Sequence, residues 1–147
     1  DIQAVLKHRA TAIVCVGEKH RDSQGNYFGV VEAQLRAALR DVKLNQLKDI
    51  VIAYEPVWAI GTGNTATAED AHEMKMFIQK IIADRFSRKA IEKIRVLYGG
   101  SVKKDNAENL LAGSQVDGFL IGGASLKARD FVSIIEKTEA YVKSKTA

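Results

Sequence analysis

Four short apolar runs, each followed by a longer stretch with apolar residues at helical spacing, organise this chain. The runs are 11–16, 50–54, 94–98 and 118–121. Each is short and rich in β-branched and aromatic residues, the signature of a buried strand. They are apolar throughout rather than alternating, so both faces are expected to be covered. Helical spacing recurs at 30–39 and again after Thr67, where Met74, Phe77, Ile78, Ile81 and Ile82 share one face. A shorter helix is expected after residue 105 and a final one at about 129–142. Thr67 with Asp70, and Asp105 with Glu108, read as N-terminal caps, and Gly113 reads as a helix end. Strands that alternate with helices imply a parallel sheet with right-handed crossovers. The pattern alone fits a piece of a closed barrel and an open doubly wound sheet equally well.

Residues 1–7 also read as helix. A chain that opens inside a helix looks cut rather than begun, and 1–9 are expected to be the remnant of a preceding helix. One domain over 1–147 is the expectation for this length. With 46% hydrophobic and 27% charged residues the chain is not of the disordered class. Its net charge of +4 comes from Lys and Arg interleaved with Asp and Glu, which reads as solvated helix faces rather than a nucleic-acid surface. No stretch approaches the ~20 apolar residues of a membrane span. The single cysteine, Cys15, cannot form an intrachain disulfide, which fits a reducing, cytoplasmic setting.

Glu55 ends the second apolar run and is followed directly by a loop, 55–63, with glycines at 61 and 63. Sites in parallel α/β folds form at the carboxyl ends of strands. Apolar neighbours such as Tyr54 and Pro56 favour a carboxylate tuned for general-base work. On position alone, Glu55 is either such a base or a surface acid at a strand end. The loop after it is either a lid whose Trp58 and Ile60 exclude water or a static loop with a buried Trp. Gly99-Gly100-Ser101 and Gly122-Gly123 follow the third and fourth runs. Glycine lets backbone N–H groups approach an anion closely, but most such pairs are only turns.

Three stretches carry a resemblance that orders these readings. They are Ala53-Tyr54-Glu55-Pro56-Val57-Trp58-Ala59-Ile60-Gly61-Thr62-Gly63, Leu97-Tyr98-Gly99-Gly100-Ser101-Val102, and Val116-Asp117-Gly118-Phe119-Leu120-Ile121-Gly122-Gly123-Ala124-Ser125-Leu126. In this order they resemble the triosephosphate isomerase family, as does Cys15-Val16-Gly17-Glu18. The resemblance implies half of a (β/α)8 TIM barrel, four parallel strands alternating with helices, equivalent to strands five to eight. It implies proton transfer through an enediolate between dihydroxyacetone phosphate and glyceraldehyde 3-phosphate, with Glu55 as the base. Pro56, Val57, Trp58, Ala59, Ile60, Gly61 and Thr62 would form the lid. Backbone N–H groups of Gly61, Ser101 and Gly123 would hold the phosphate, with Gly122 in the same lining and Leu120 lining the substrate pocket.

The same resemblance places an Asn, a Lys and an electrophilic His in the first half of the barrel, outside this sequence. The isolated chain is therefore expected to be inactive and to pair with the missing half-barrel or with a second copy of itself. No metal and no organic cofactor is called for. Cys15 is expected to be a buried structural thiol, Glu18 a hydrogen-bond acceptor supporting the site, and His8, His20 and His72 solvent-exposed. The runner-up expectation is a non-catalytic, self-associating half-barrel that still binds phosphate.

Overall fold

The computed structural model describes residues 1–62 and 64–146; Gly63, expected in the loop after Glu55, lies outside them. Three strands, β1 (Ala12–Val16), β2 (Ile50–Tyr54) and β3 (Arg95–Tyr98), form one parallel sheet in chain order. Helices alternate with them: α1 (Ile2–Lys7), α2 (Asn26–Ala38), α3 (Ala68–Arg85), α4 (Ala107–Ser114) and α5 (Ala128–Thr146). Short 3-10 turns, Leu44–Asp49 and Arg88–Lys93, lead into β2 and β3. Asp1 caps α1, accepting the Gln3 N–H at 2.9 Å.

The register explains how the core is built. Ala12 pairs with Ile50, Val16 with Tyr54, Ile52 with Val96 and Tyr54 with Tyr98, so these side chains share one face. All of them belong to the core, together with Val31 and Leu35 of α2 and Met74, Ile78, Ile81 and Ile82 of α3. Each of the larger aliphatic side chains removed from water stabilises the fold by about 1.5–3 kcal/mol. Phe77 is half-buried and stacks on Phe28, with ring centroids 4.6 Å apart. The opposite face is less well covered. Val51 and Ala53 of the central strand are buried there, but Ile13 on β1 is 51% exposed and Cys15 is exposed.

The expected fourth strand is a correction. Residues 117–120 run along β3 but make a single bridge, Tyr98 with Phe119. Asp117 N–H donates to Val96 O at 2.9 Å, Tyr98 N–H to Gly118 O at 3.0 Å, and Leu120 N–H to Tyr98 O at 3.0 Å. The Asp117 carboxylate accepts the Val96 N–H at 2.7 Å, and Gly118 has φ 153°. A side-chain acceptor in place of a main-chain one, and that backbone kink, stop a regular ladder from forming. Lys75 of α3, itself buried, pins this segment through Asp117 Oδ1 at 3.2 Å and Gln115 O.

Two helix signals also resolve differently. Thr67 and Asp70 do form a reciprocal capping box on α3, with N···O distances of 3.0 and 2.8 Å. Asp105 and Glu108 do not cap α4; instead Asn106 accepts the Lys103 N–H at 2.7 Å and donates to Ser101 O at 3.0 Å, folding the loop between them. Gly113 lies inside α4, which ends at Ser114 with Gln115 in the left-handed conformation. A Cβ on Gly113 would come within 2.5 Å of the Ala68 Cβ, so this glycine lets α4 pack closely on α3.

Candidate active site

The carboxyl ends of the three strands bring Gly17, Glu55 and Gly99 side by side. Glu55 N–H donates to Val16 O at 2.8 Å, and Gly99 N–H donates to Tyr54 O at 2.8 Å. Glu55 is thereby held between the other two strand ends. A Cβ on Gly17 would collide with the Glu55 carbonyl group, and a Cβ on Gly99 would sit 2.7 Å from Glu55 Cγ. The glycines of both flanking strand ends are therefore the space that Glu55 occupies. Glu55 itself is half-buried.

Cys15, one strand over, corrects an expectation. It is exposed rather than buried, because β1 is an edge strand and its second face is open. Its thiol sits beside the Glu55 carboxylate. Partial desolvation, then the charge and hydrogen bond of Glu55, raise its pKa. A thiol held protonated is a poor nucleophile.

Beneath Glu55 lies a polar anchor. Glu18 is 1% exposed, and its Oε1 accepts from the Tyr54 hydroxyl at 2.8 Å, the Trp58 indole N–H at 2.8 Å and Arg21 Nε at 3.0 Å. This is the acceptor role expected of it. Burial, followed by the Glu18 charge, raises the Tyr54 pKa and keeps that hydroxyl a donor. Arg21 was not singled out in the sequence. It reaches Glu18, Asp70, Glu73 and the Tyr54 hydroxyl, and lies 4.6 Å from the Tyr27 ring centroid. The charge cluster Lys19-His20-Arg21-Asp22 looks like an ordinary solvated loop, and only the fold shows that one of its four side chains turns inward.

The loop after Glu55 has an anchored entrance and an exposed tip. Pro56 and Ala59 are buried, and Val57–Ala59 forms a 3-10 turn tied to Glu18 O through the Val57 N–H at 3.0 Å. Ile60, Gly61 and Thr62 are exposed, and the Thr62 hydroxyl folds back onto Trp58 O at 2.8 Å. A cleft of about 530 Å³ opens below this tip. Gly61, Ser101, Gly122 and Gly123 all line it, so four of the five residues assigned to phosphate and substrate share one cavity. The fifth, Leu120, is half-buried two residues short of it. Among the described residues, the Ser101 and Gly123 N–H groups have no protein acceptor. Lys103, Lys104 and Lys127 stand at the rim with Asp105 and Asp130, and Lys104 is paired with Asp130 at 3.2 Å.

His8 and His20 are exposed. His72 is a correction: it is half-buried on α3, with Nδ1 3.1 Å from Ser114 O at the end of α4. Among the described residues no three side chains are grouped to hold a metal, and no helix is long and apolar enough to cross a membrane.

Parallel strands joined by helices, an acid at one carboxyl end and glycine-rich loops after the next form an α/β fold consistent with part of a (β/α)8 barrel. Residues 1–138 match the family model for triosephosphate isomerase, and the chain belongs to that family.

Proposed function

We propose that this chain forms the second half of a triosephosphate isomerase barrel, the half that carries the base and most of the phosphate cradle. Glu55 moves a proton between the two carbons of a triose phosphate, and the 56–62 loop covers the substrate. The N–H groups of Gly61, Ser101 and Gly123 take the phosphate, with Gly122 beside them and Leu120 against the substrate. The observation that carries this reading is the convergence of Gly17, Glu55 and Gly99 next to a cleft lined by Gly61, Ser101, Gly122 and Gly123. An acid wedged between two glycines, beside open backbone donors, suits proton abstraction from a bound anion.

The chain's histidines do not supply the electrophile: two are exposed and the third faces Ser114 O. Losing one electrostatic donor costs ~10²–10³ in rate, and the reading leaves several to residues outside this sequence. The isolated chain therefore has negligible isomerase activity and gains it when a complementary half-barrel is added. A coupled isomerase assay checks this with and without that half, beside Glu55→Gln. Activity of the complemented pair that survives in Glu55→Gln sinks the assignment of the base.

A second reading, a self-associating half-barrel that binds phosphate without turnover, draws on the open face of β1, where Ile13 is 51% exposed. An edge strand with an apolar open face is a template for pairing. Monodisperse monomer in light scattering, without dye binding to apolar surface, counts against it. No nucleic acid, membrane or organic cofactor enters either reading.

A further inference from the structure

We propose that Arg21 is a positioning residue for the loop that follows Glu55, joining its entrance to the start of α3 through one guanidinium. The proposal rests on the reading of that loop as a lid. At the entrance, the Trp58 indole N–H and Arg21 Nε share one acceptor, Glu18 Oε1, at 2.8 and 3.0 Å. The guanidinium carbon also lies 5.7 Å from the Trp58 ring centroid. At the exit, Arg21 Nη1 donates to Asp70 Oδ1 at 2.8 Å and Nη2 to Asp70 O at 3.2 Å. The other Asp70 oxygen accepts the Thr67 N–H, so the same carboxylate closes the loop and starts α3. Glu73, 3.1 Å away, and the Tyr27 ring complete the enclosure.

Only a planar fork with several fixed donors can satisfy three carboxylates, a hydroxyl and a carbonyl at once. Burial opposes the charge, but Tyr54, Glu18 and Asp70 outweigh it and hold the guanidinium protonated. The ends of the loop cannot part while this group is in place. Movement is then confined to the exposed tip, Ile60 to Thr62, which lines the cleft. Arg21 thus makes the lid a hinged flap rather than a loose strap, without touching the substrate.

Trp58 is the only tryptophan, so intrinsic fluorescence reports the entrance alone. Amide exchange by NMR reports the tip. Arg21→Gln and Asp70→Asn are compared with Arg85→Gln, which cuts a purely structural tie from α3 to Leu39 O and Arg40 O. The expected result is a red shift of Trp58 emission and about tenfold faster exchange at 60–62 and 64–66 in the first two variants. Arg85→Gln lowers Tm and moves neither signal. Inorganic phosphate, added to wild type, slows exchange at the tip and leaves Trp58 emission where it is. If phosphate does so but Arg21→Gln matches wild type in emission and exchange, the proposal is overturned and the lid stands. If phosphate leaves exchange at the tip unchanged in wild type, the lid reading falls and the proposal falls with it. Should Arg21→Gln not fold, Asp70→Asn, which keeps one oxygen for the helix cap, decides on the same two signals.

Discussion

Gly17 and Gly99 press against Glu55 so closely that neither position has room for a methyl group. Gly122 and Gly123 differ, because a Cβ on either would meet nothing within 4 Å. Internal packing demands glycine at the first pair. At the second pair the protein's own atoms make no such demand, and both glycines face the open cleft. One end of the site is thus filled by the fold's own packing, and the other stands open to the cleft.

Substitutions can break or sharpen this contrast. Gly17→Ala sets a methyl group into the Glu55 main chain, which cannot turn aside, and it is expected to cost more than about 3 kcal/mol in a thermal melt. Gly99→Ala meets the movable Glu55 side chain, so about 1–3 kcal/mol is expected, with the carboxylate displaced from Cys15. A fall in the Cys15 thiol pKa, read by alkylation rate against pH, reports that displacement. Tyr98 stands between the two regions, with its ring packed on the Gly100 backbone. Its hydroxyl is buried and has no partner among the described residues. Tyr98→Phe is therefore expected to be neutral or stabilising by up to about 1 kcal/mol. Gly123→Ala is expected to leave stability within about 0.5 kcal/mol while weakening phosphate binding about tenfold, measured by NMR titration. Equal stability losses at Gly17 and Gly123 would erase the contrast.

The same tyrosine gives a pH test. Burial first, and then Asp70, push its pKa to about 12. The unfolded value is about 10, so the unfolded chain gives up this proton first as pH rises. The stability tied to neutral Tyr98 is complete below about pH 10 and drains away towards 12. Tyr98→Phe is expected to flatten part of the alkaline fall in denaturant midpoint. Tyr54, Tyr27 and the Cys15 thiol, also raised, contribute to the remainder.

Much of this was legible in the chain because the signals were local. The apolar runs of β1, β2 and β3, and the Thr67–Asp70 box, depend on neighbours in sequence. The family match agrees with three motifs that could be read directly. What failed to show was what depends on distant partners. The run 118–121 looks like a strand, but Asp117 takes the Val96 N–H with its side chain, a fact set 21 residues away. Gly113 resembles a helix end because glycine often is one, and only the approach of Ala68 reveals its use. Cys15 sits in an apolar run that suggests burial, yet its strand is an edge. His72 and Arg21 have ordinary polar surroundings in sequence, and their partners lie 42 and 49 residues on.

The three strand ends that seat Glu55 also set the order in which the chain can assemble. Ala12 pairs with Ile50 and Val51 with Arg95, so every rung of the sheet joins residues some 38 to 44 positions apart. Such contacts require large loops to close before they return any stabilisation, whereas helices form from near neighbours. The carboxylate reaches its place only when all three strands are in register. On refolding, helical circular dichroism is expected to recover well before the Cys15 thiol regains its slow alkylation. The seat of Glu55 is thus the part of the fold expected to form last.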